Sequence, residues 1–317
     1  MNNDKLRIVF MGTPDFAVES LRRMVEGGYN VVAVVTMPDK AIGRHHDQLQ
    51  ASPVKQYALS HGIPVLQPER LKDETFFAQL RALRPDLGVV VAFRMLPELI
   101  WSLPRLGTFN LHAALLPQYR GAAPINWAII NGDKQTGVTT FFLDHDIDTG
   151  HVIYREPVPI NDEDDAETIH DRLMFLGAKL VLKTIDDIAN NAVTPIPQEQ
   201  LTVEGELRPA PKIFKDTCRI RWAELTAREV YNFVRGLSPY PAAWTELNGV
   251  QLKIFKCAVE EGPSAKPGTL QTDGKTFLRI ACREGWVSVR SLQLSGKKRM
   301  DIADFLRGAH LDSQEVE

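Results

Sequence analysis

Over the first 190 residues, short β-branched runs alternate with amphipathic stretches, which predicts an α/β domain built on a mostly parallel sheet. After residue 211 the pattern changes to short alternating strands separated by Gly- and Asp-containing turns, which predicts a small C-terminal β-barrel. The length of 317 residues fits two domains at roughly 150 residues each.

The elements follow in order. Leu6–Met11 reads as a buried strand and Phe16–Glu26 as a helix with Phe16, Leu21, Met24 and Val25 on its apolar side. Val31–Thr36 is a second strand, and Ser52-Pro53-Val54-Lys55 carries an N-cap followed by proline in the first helical turn. Ile63–Leu66 is a short strand and Thr75–Leu83 a helix. Leu87–Phe93 is apolar throughout, as a strand covered on both faces should be. Thr108–His112 is the next strand, Val138–Leu143 and Val152–Glu156 form a strand pair, and Ala166–Ala189 is a long helix. A polar, proline-bearing connector follows. Then come a helix over Ala227–Gly236 and strands over Trp244–Leu247, Leu252–Ala258, Phe277–Ala281 and Val287–Leu294. Pro239-Tyr240-Pro241 with Trp244 is expected to pack at a corner. The resulting boundaries are 1–190, a linker at 191–207, and 208–317.

Composition narrows the class. With 44% hydrophobic and 24% charged residues the chain resembles an ordinary globular protein. No apolar run approaches the roughly 20 residues a membrane span needs, so no membrane role is expected. The start lacks a signal-like segment. Cys218, Cys257 and Cys282 have no metal-binding or disulfide-framework spacing, which predicts buried free thiols, a reducing cytoplasmic setting and no metal. The net charge of −3 hides an asymmetry of +5 over residues 208–317 against −8 over the remainder. A basic module on an acidic one suggests a polyanionic partner for the C-terminal part.

The first turn, Gly12-Thr13-Pro14-Asp15-Phe16-Ala17, has one glycine where a dinucleotide-binding loop needs three, and an aspartate that would repel phosphate. The informative stretch is FNLHAALLPQYRGAAP, Phe109 to Pro124. In a strand, Asn110 and His112 at i and i+2 share a face. The pair aims an amide donor and a titratable ring into one space. The loop Asp144 to Gly150, DHDIDTG, offers a carboxylate at Asp148. Donors that hold a developing oxyanion are usually the largest catalytic term in acyl transfer. A carboxylate beside an imidazole favours its charged form and can receive the proton of an attacking amine.

These two stretches resemble the signature of the 10-formyltetrahydrofolate-dependent formyltransferases. Gly12–Val18, Ser52–Lys55 and the C-terminal module bring the chain nearest to members that formylate initiator methionyl-tRNA. The resemblance covers essentially the whole chain. It implies a Rossmann-like formyltransferase domain, a linker and an OB-like β-barrel that binds tRNA. It further implies transfer of the formyl group of 10-formyltetrahydrofolate to the α-amino group of initiator methionyl-tRNA, by a monomer. Carried over by position, Asn110, His112 and Asp148 match the catalytic triad. Ala114, Leu115, Leu116 and Pro117 match the segment lining the folate site; Ala92, Phe93, Met95 and Leu96, with Asp146 opposite, match the pterin loops. Phe93-Arg94 stands where many relatives carry Tyr-Gly, which offers Arg94 to the folate's glutamate tail. In the loop Ala41-Ile42-Gly43-Arg44-His45-His46 the basic run of relatives is reduced to Arg44, the candidate for the acceptor stem. Lys212, Lys297 and Lys298 are candidates for phosphate contact. The alternative acceptor is an amino-sugar nucleotide.

Overall fold

The computed structural model describes residues 6–42, 48–203, 205–308, 311 and 315–317. In chain order the strands and helices begin with β1 (Ile8–Gly12), α1 (Asp15–Glu26), β2 (Val31–Val35), β3 (Lys40–Ile42), β4 (Gln48–Gln50), α2 (Pro53–Ser60) and β5 (Val65–Leu66). Then follow α3 (Glu74–Ala82), β6 (Leu87–Val91), α4 (Glu98–Trp101), β7 (Thr108–His112), α5 (Pro124–Ile130), β8 (Gln135–Phe142), β9 (Val152–Pro159) and α6 (Ala166–Ala189). The last third contains α7 (Ala227–Leu237), β10 (Ala243–Leu247), β11 (Val250–Glu260), β12 (Leu270–Thr272), β13 (Leu278–Ala281), β14 (Trp286–Leu294), β15 (Met300–Asp301) and α8 (Ile302–Gly308).

Two compact units divide the chain. The first comprises Met1–Gly121, Thr136–Val158 and His170–Pro209. Its seven-stranded sheet has the order β5-β2-β1-β6-β7-β8-β9. Strands β5, β2, β1, β6 and β7 run parallel, and β8 pairs antiparallel with β7. β1 and β6 are buried along their whole length, as their unbroken apolar runs require. The strand order reverses between β1 and β6, the position where open α/β sheets open a crevice at their carboxyl ends. Close approach there depends on glycine: a Cβ on Gly12 would stand 2.7 Å from Val91 O.

Local signals are realised where the sequence carries them. Ser52 caps α2 by accepting Lys55 N–H at 3.1 Å, and Thr226 with Glu229 forms a capping box on α7. The hairpin β3–β4 was not legible from periodicity. Its root is held by side chains: Lys55 Nζ donates to both Asp39 oxygens at 2.7 and 3.0 Å, and Gln67 Nε2 donates to Asp39 Oδ1 at 2.8 Å and Met37 O at 3.1 Å. The hydrogen bond from Lys55 holds the Asp39 carboxyl below its ordinary pKa. Arg44, with its neighbours His45 and His46, lies outside the described residues.

The second unit comprises Ala122–Gln135, Pro159–Ile169 and Ala210–Glu317. Its six-stranded sheet, β10-β11-β14-β13-β12 with β15 on β14, is antiparallel and curls into an OB-like half-barrel. Helix α5 packs on α7, and the contact is close enough that a Cβ on Gly236 would lie 2.7 Å from Ile130 Cγ1. Cys218, Cys257 and Cys282 are buried free thiols, and desolvation pushes the Cys257 and Cys282 thiols up to about 12. The corner expectation for Tyr240 is overturned: the residue is 84% exposed, whereas Trp244 is buried and its Nε1–H donates to Lys215 O at 2.8 Å. Among the described residues no helix is long and apolar enough to cross a membrane.

Candidate functional site

Strand β7 positions the two central side chains. It is the last parallel strand, pairing Val90 with Asn110 and Val91 with Leu111 on the β6 side, and His112 with Thr139 on the β8 side. The carboxyl end of β7 therefore lies beside the loop that follows β6. Asn110 is partly buried, and its Oδ1 is buried without a hydrogen-bond partner among the described residues. His112 is 6% exposed.

Geometry assigns the imidazole tautomer. His112 Nε2 stands 2.8 Å from Tyr119 O, and a carbonyl oxygen only accepts, so Nε2 carries a hydrogen. Nδ1 faces Asp148 Oδ2 at 3.8 Å, inside ion-pair range but beyond a direct hydrogen bond. Asp148 Oδ2 also accepts Gly121 N–H at 2.9 Å. The loop over residues 119–121 thus orients both members of the pair. It is itself held by Tyr119 N–H donating to Arg208 O at 2.8 Å, with Tyr119 at φ 58°. Asp148 is in the left-handed region too, at φ 57°. Aspartate tolerates that region better than most residues do, and such positions concentrate at functional sites.

Gly150 ends the acidic loop where no side chain fits, because a Cβ would collide with Phe142 O. Gly150→Ala is expected to destabilise the protein by roughly 1–3 kcal/mol or more. The check is a lower urea midpoint at unchanged m-value; an unchanged midpoint would refute the packing argument.

The segment matched to the folate site splits. Ala114, Leu116 and Pro117 are buried and Leu115 is partly exposed. Thr139 Oγ1 donates to Ala114 O at 2.6 Å and accepts Leu116 N–H at 3.1 Å, so β8 mounts this stretch. Leu116 packs with Phe141 and Val152. After β6, Ala92 takes φ 49°, Phe93 is half-buried, Leu96 is buried and Met95 is 61% exposed. Asp146 is exposed, and its carbonyl accepts Thr149 Oγ1–H at 3.1 Å. Arg94 does not point to a free role on the folate tail: its guanidinium donates to Glu69 O at 2.8 Å and to Pro68 O. In the second unit, Lys212, Lys297 and Lys298 are all exposed, with Lys212 Nζ 5.4 Å from the Phe214 ring centroid.

Sequence reasoning missed Gln198, which is 1% exposed and bonded to the backbone of the Asp148 loop. Its segment is polar and carries no motif, so no local signal could have found it.

An amide and an imidazole–carboxylate pair at the carboxyl edge of an α/β sheet are groups of the kind that acyl transfer uses. The Formyl transferase model matches residues 6–185, and the Formyl transferase C-terminal domain model matches residues 212–310. The chain belongs to the formyl transferase family. Methionyl-tRNA formyltransferase of Bacteroides thetaiotaomicron is 61% identical over 317 residues, covering 98% of each chain. Among solved structures, the N-formyltransferase of Helicobacter canadensis, in complex with folinic acid and dTDP-3-aminofucose, aligns at TM-score 0.65 and 19% identity, over 93% of this chain and 100% of that one. HypX of Aquifex aeolicus, in complex with tetrahydrofolic acid, aligns at TM-score 0.65 and 19% identity over 97% of this chain. The chain spans about half the length of HypX, 48%. At that identity the two structures share the fold.

Proposed function

We propose that this protein transfers the formyl group of 10-formyltetrahydrofolate to the α-amino group of initiator methionyl-tRNA. The observation that carries the reading is His112, oriented by the Tyr119 carbonyl and facing Asp148, on a chain 61% identical to an enzyme of that name.

In this reaction the amine forms a bond to the formyl carbon, whose carbonyl electrons move onto oxygen. Asn110 Nδ2 donates to that oxyanion. Because Nε2–H is committed to Tyr119 O, Nδ1 is the ring nitrogen that addresses the substrate. Protonated, it gives its proton to the departing N10 as the carbon–nitrogen bond to the folate breaks. Asp148 receives the proton the amine sheds, directly or through water. The partly exposed Leu115, the exposed Met95 and the left-handed backbone at Ala92 suit a flat amide-like pterin, which needs an apolar slot rimmed by backbone donors and acceptors. Phe93, Leu96, Ala114, Leu116, Pro117 and Asp146 frame the same reading.

We assign catalysis to residues 1–190 and tRNA binding to 208–317, joined by the linker 191–207. Arg44 would engage the acceptor stem, with Lys212, Lys297 and Lys298 on phosphates. The setting is cytoplasmic and the active form a monomer, which light scattering checks. The second reading, an amino-sugar nucleotide as acceptor, is favoured by the likeness to the Helicobacter canadensis structure, a likeness that carries the fold. An acceptor panel decides: charged initiator and elongator tRNA and an amino-sugar nucleotide, each with 10-formyltetrahydrofolate. Formylation of initiator methionyl-tRNA is the expected result, and its absence would end the reading.

A further inference from the structure

We infer that Gln198 is the positioning residue for Asp148, holding in one amide both the backbone that carries the carboxylate and the loop that binds it. Gln198 Nε2 donates to Asp148 O at 2.8 Å and to Gly150 O at 2.9 Å. Its Oε1 accepts Arg120 Nε at 3.1 Å and Arg120 Nη2 at 2.7 Å. A side-chain amide has two donor hydrogens and two acceptor lone pairs. All four are used. The amide orientation is also unambiguous, since both carbonyls only accept and a guanidinium only donates.

The consequences meet at the carboxylate. The two carbonyls are that of Asp148 itself and that of Gly150 two residues on, and the Asp148 φ of 57° is a conformation that surrounding bonds must maintain. Arg120 precedes Gly121, whose N–H binds Asp148 Oδ2 at 2.9 Å. Gln198 therefore sets the Asp148 side chain from behind, through its backbone, and from in front, through Arg120. The segment that delivers it is anchored to the sheet, because Ile196 and Val152 exchange two backbone hydrogen bonds of 2.9 Å. The distance Gln198 governs is the 3.8 Å between His112 Nδ1 and Asp148 Oδ2, too long to be self-locking. Gln198 bonds to neither ring nor carboxylate, so it acts through them.

This inference rests on the proposed role of Asp148. Steady-state formylation by the full chain tests it, using Q198M, R120M, D148N and the Q198M/D148N double variant. Q198M keeps the volume and removes all four hydrogen bonds; R120M leaves the bonds to the two carbonyls in place. A misplacement of about 1 Å in a catalytic group costs on the order of 100-fold. Q198M is expected to lower kcat by roughly 10–100-fold while both KM values stay within about two-fold, and R120M to show a smaller loss of the same kind. In the D148N background Q198M should cost less than about three-fold more, because there is no carboxylate left to place. Additive losses, or unchanged kcat in a folded Q198M with only a lower Tm, would overturn the inference. Should Q198M fail to fold, unchanged kcat in R120M overturns it. The function reading fails separately, if the wild type does not formylate methionyl-tRNA; the same cycle on the acceptor that is formylated would still decide the role of Gln198.

Discussion

Asp148→Asn is expected to lower kcat by roughly 10²–10⁴-fold, the range of general acid–base assistance, with KM for either substrate little changed. The substitution is nearly isosteric, and the side-chain oxygen can still accept Gly121 N–H, so the fold should persist. What disappears is the negative charge facing His112 Nδ1 at 3.8 Å and the basic oxygen that takes the amine's proton. His112→Ala should lose a comparable factor, and the double variant should be far less impaired than the product of the two. Residues acting as one unit behave non-additively. Single-turnover rates with circular dichroism on each variant make the check. A loss below about three-fold in folded D148N would remove the carboxylate from the mechanism.

Asn110→Ala should cost roughly 10²–10³-fold in kcat, the usual cost of deleting one oxyanion donor. It carries a second expectation that separates catalysis from architecture. Asn110 Oδ1 is buried without a partner among the described residues, and an unsatisfied buried acceptor is a destabilising feature. Removing the amide should leave Tm unchanged or raise it while activity collapses. A protein that loses stability and activity together would show that Asn110 serves the strand rather than the reaction.

How far the site was legible differs from residue to residue. The strand Thr108–His112 was read to its ends, because a β-branched and aromatic run bounded by a turn is a local signal. The helix Ala166–Ala189 also matches its expected bounds. The i, i+2 relation of Asn110 and His112 follows from strand geometry alone. The β3–β4 hairpin was not legible, since six strand residues carry too little periodicity and its root is set by Asp39, Lys55 and Gln67. The exposure of Tyr240 was misjudged for a related reason: an aromatic between two prolines reads as packing, yet the ring's neighbours decide.

Amino-acid order by itself determined the succession of strands and helices, the switch to a second β unit, the family, and the amide–imidazole pair on one strand, all of which depend on residues within a few positions of one another. Only the tertiary structure decided which nitrogen of His112 faces Asp148, how that carboxylate is held at a left-handed backbone position, and that a glutamine 50 residues from Asp148 and 78 from Arg120 joins them. The physical reason is the nature of the partners. Tyr119, Asp148 and Gly150 take part through backbone carbonyls, which every residue possesses, so their convergence leaves no mark on the sequence.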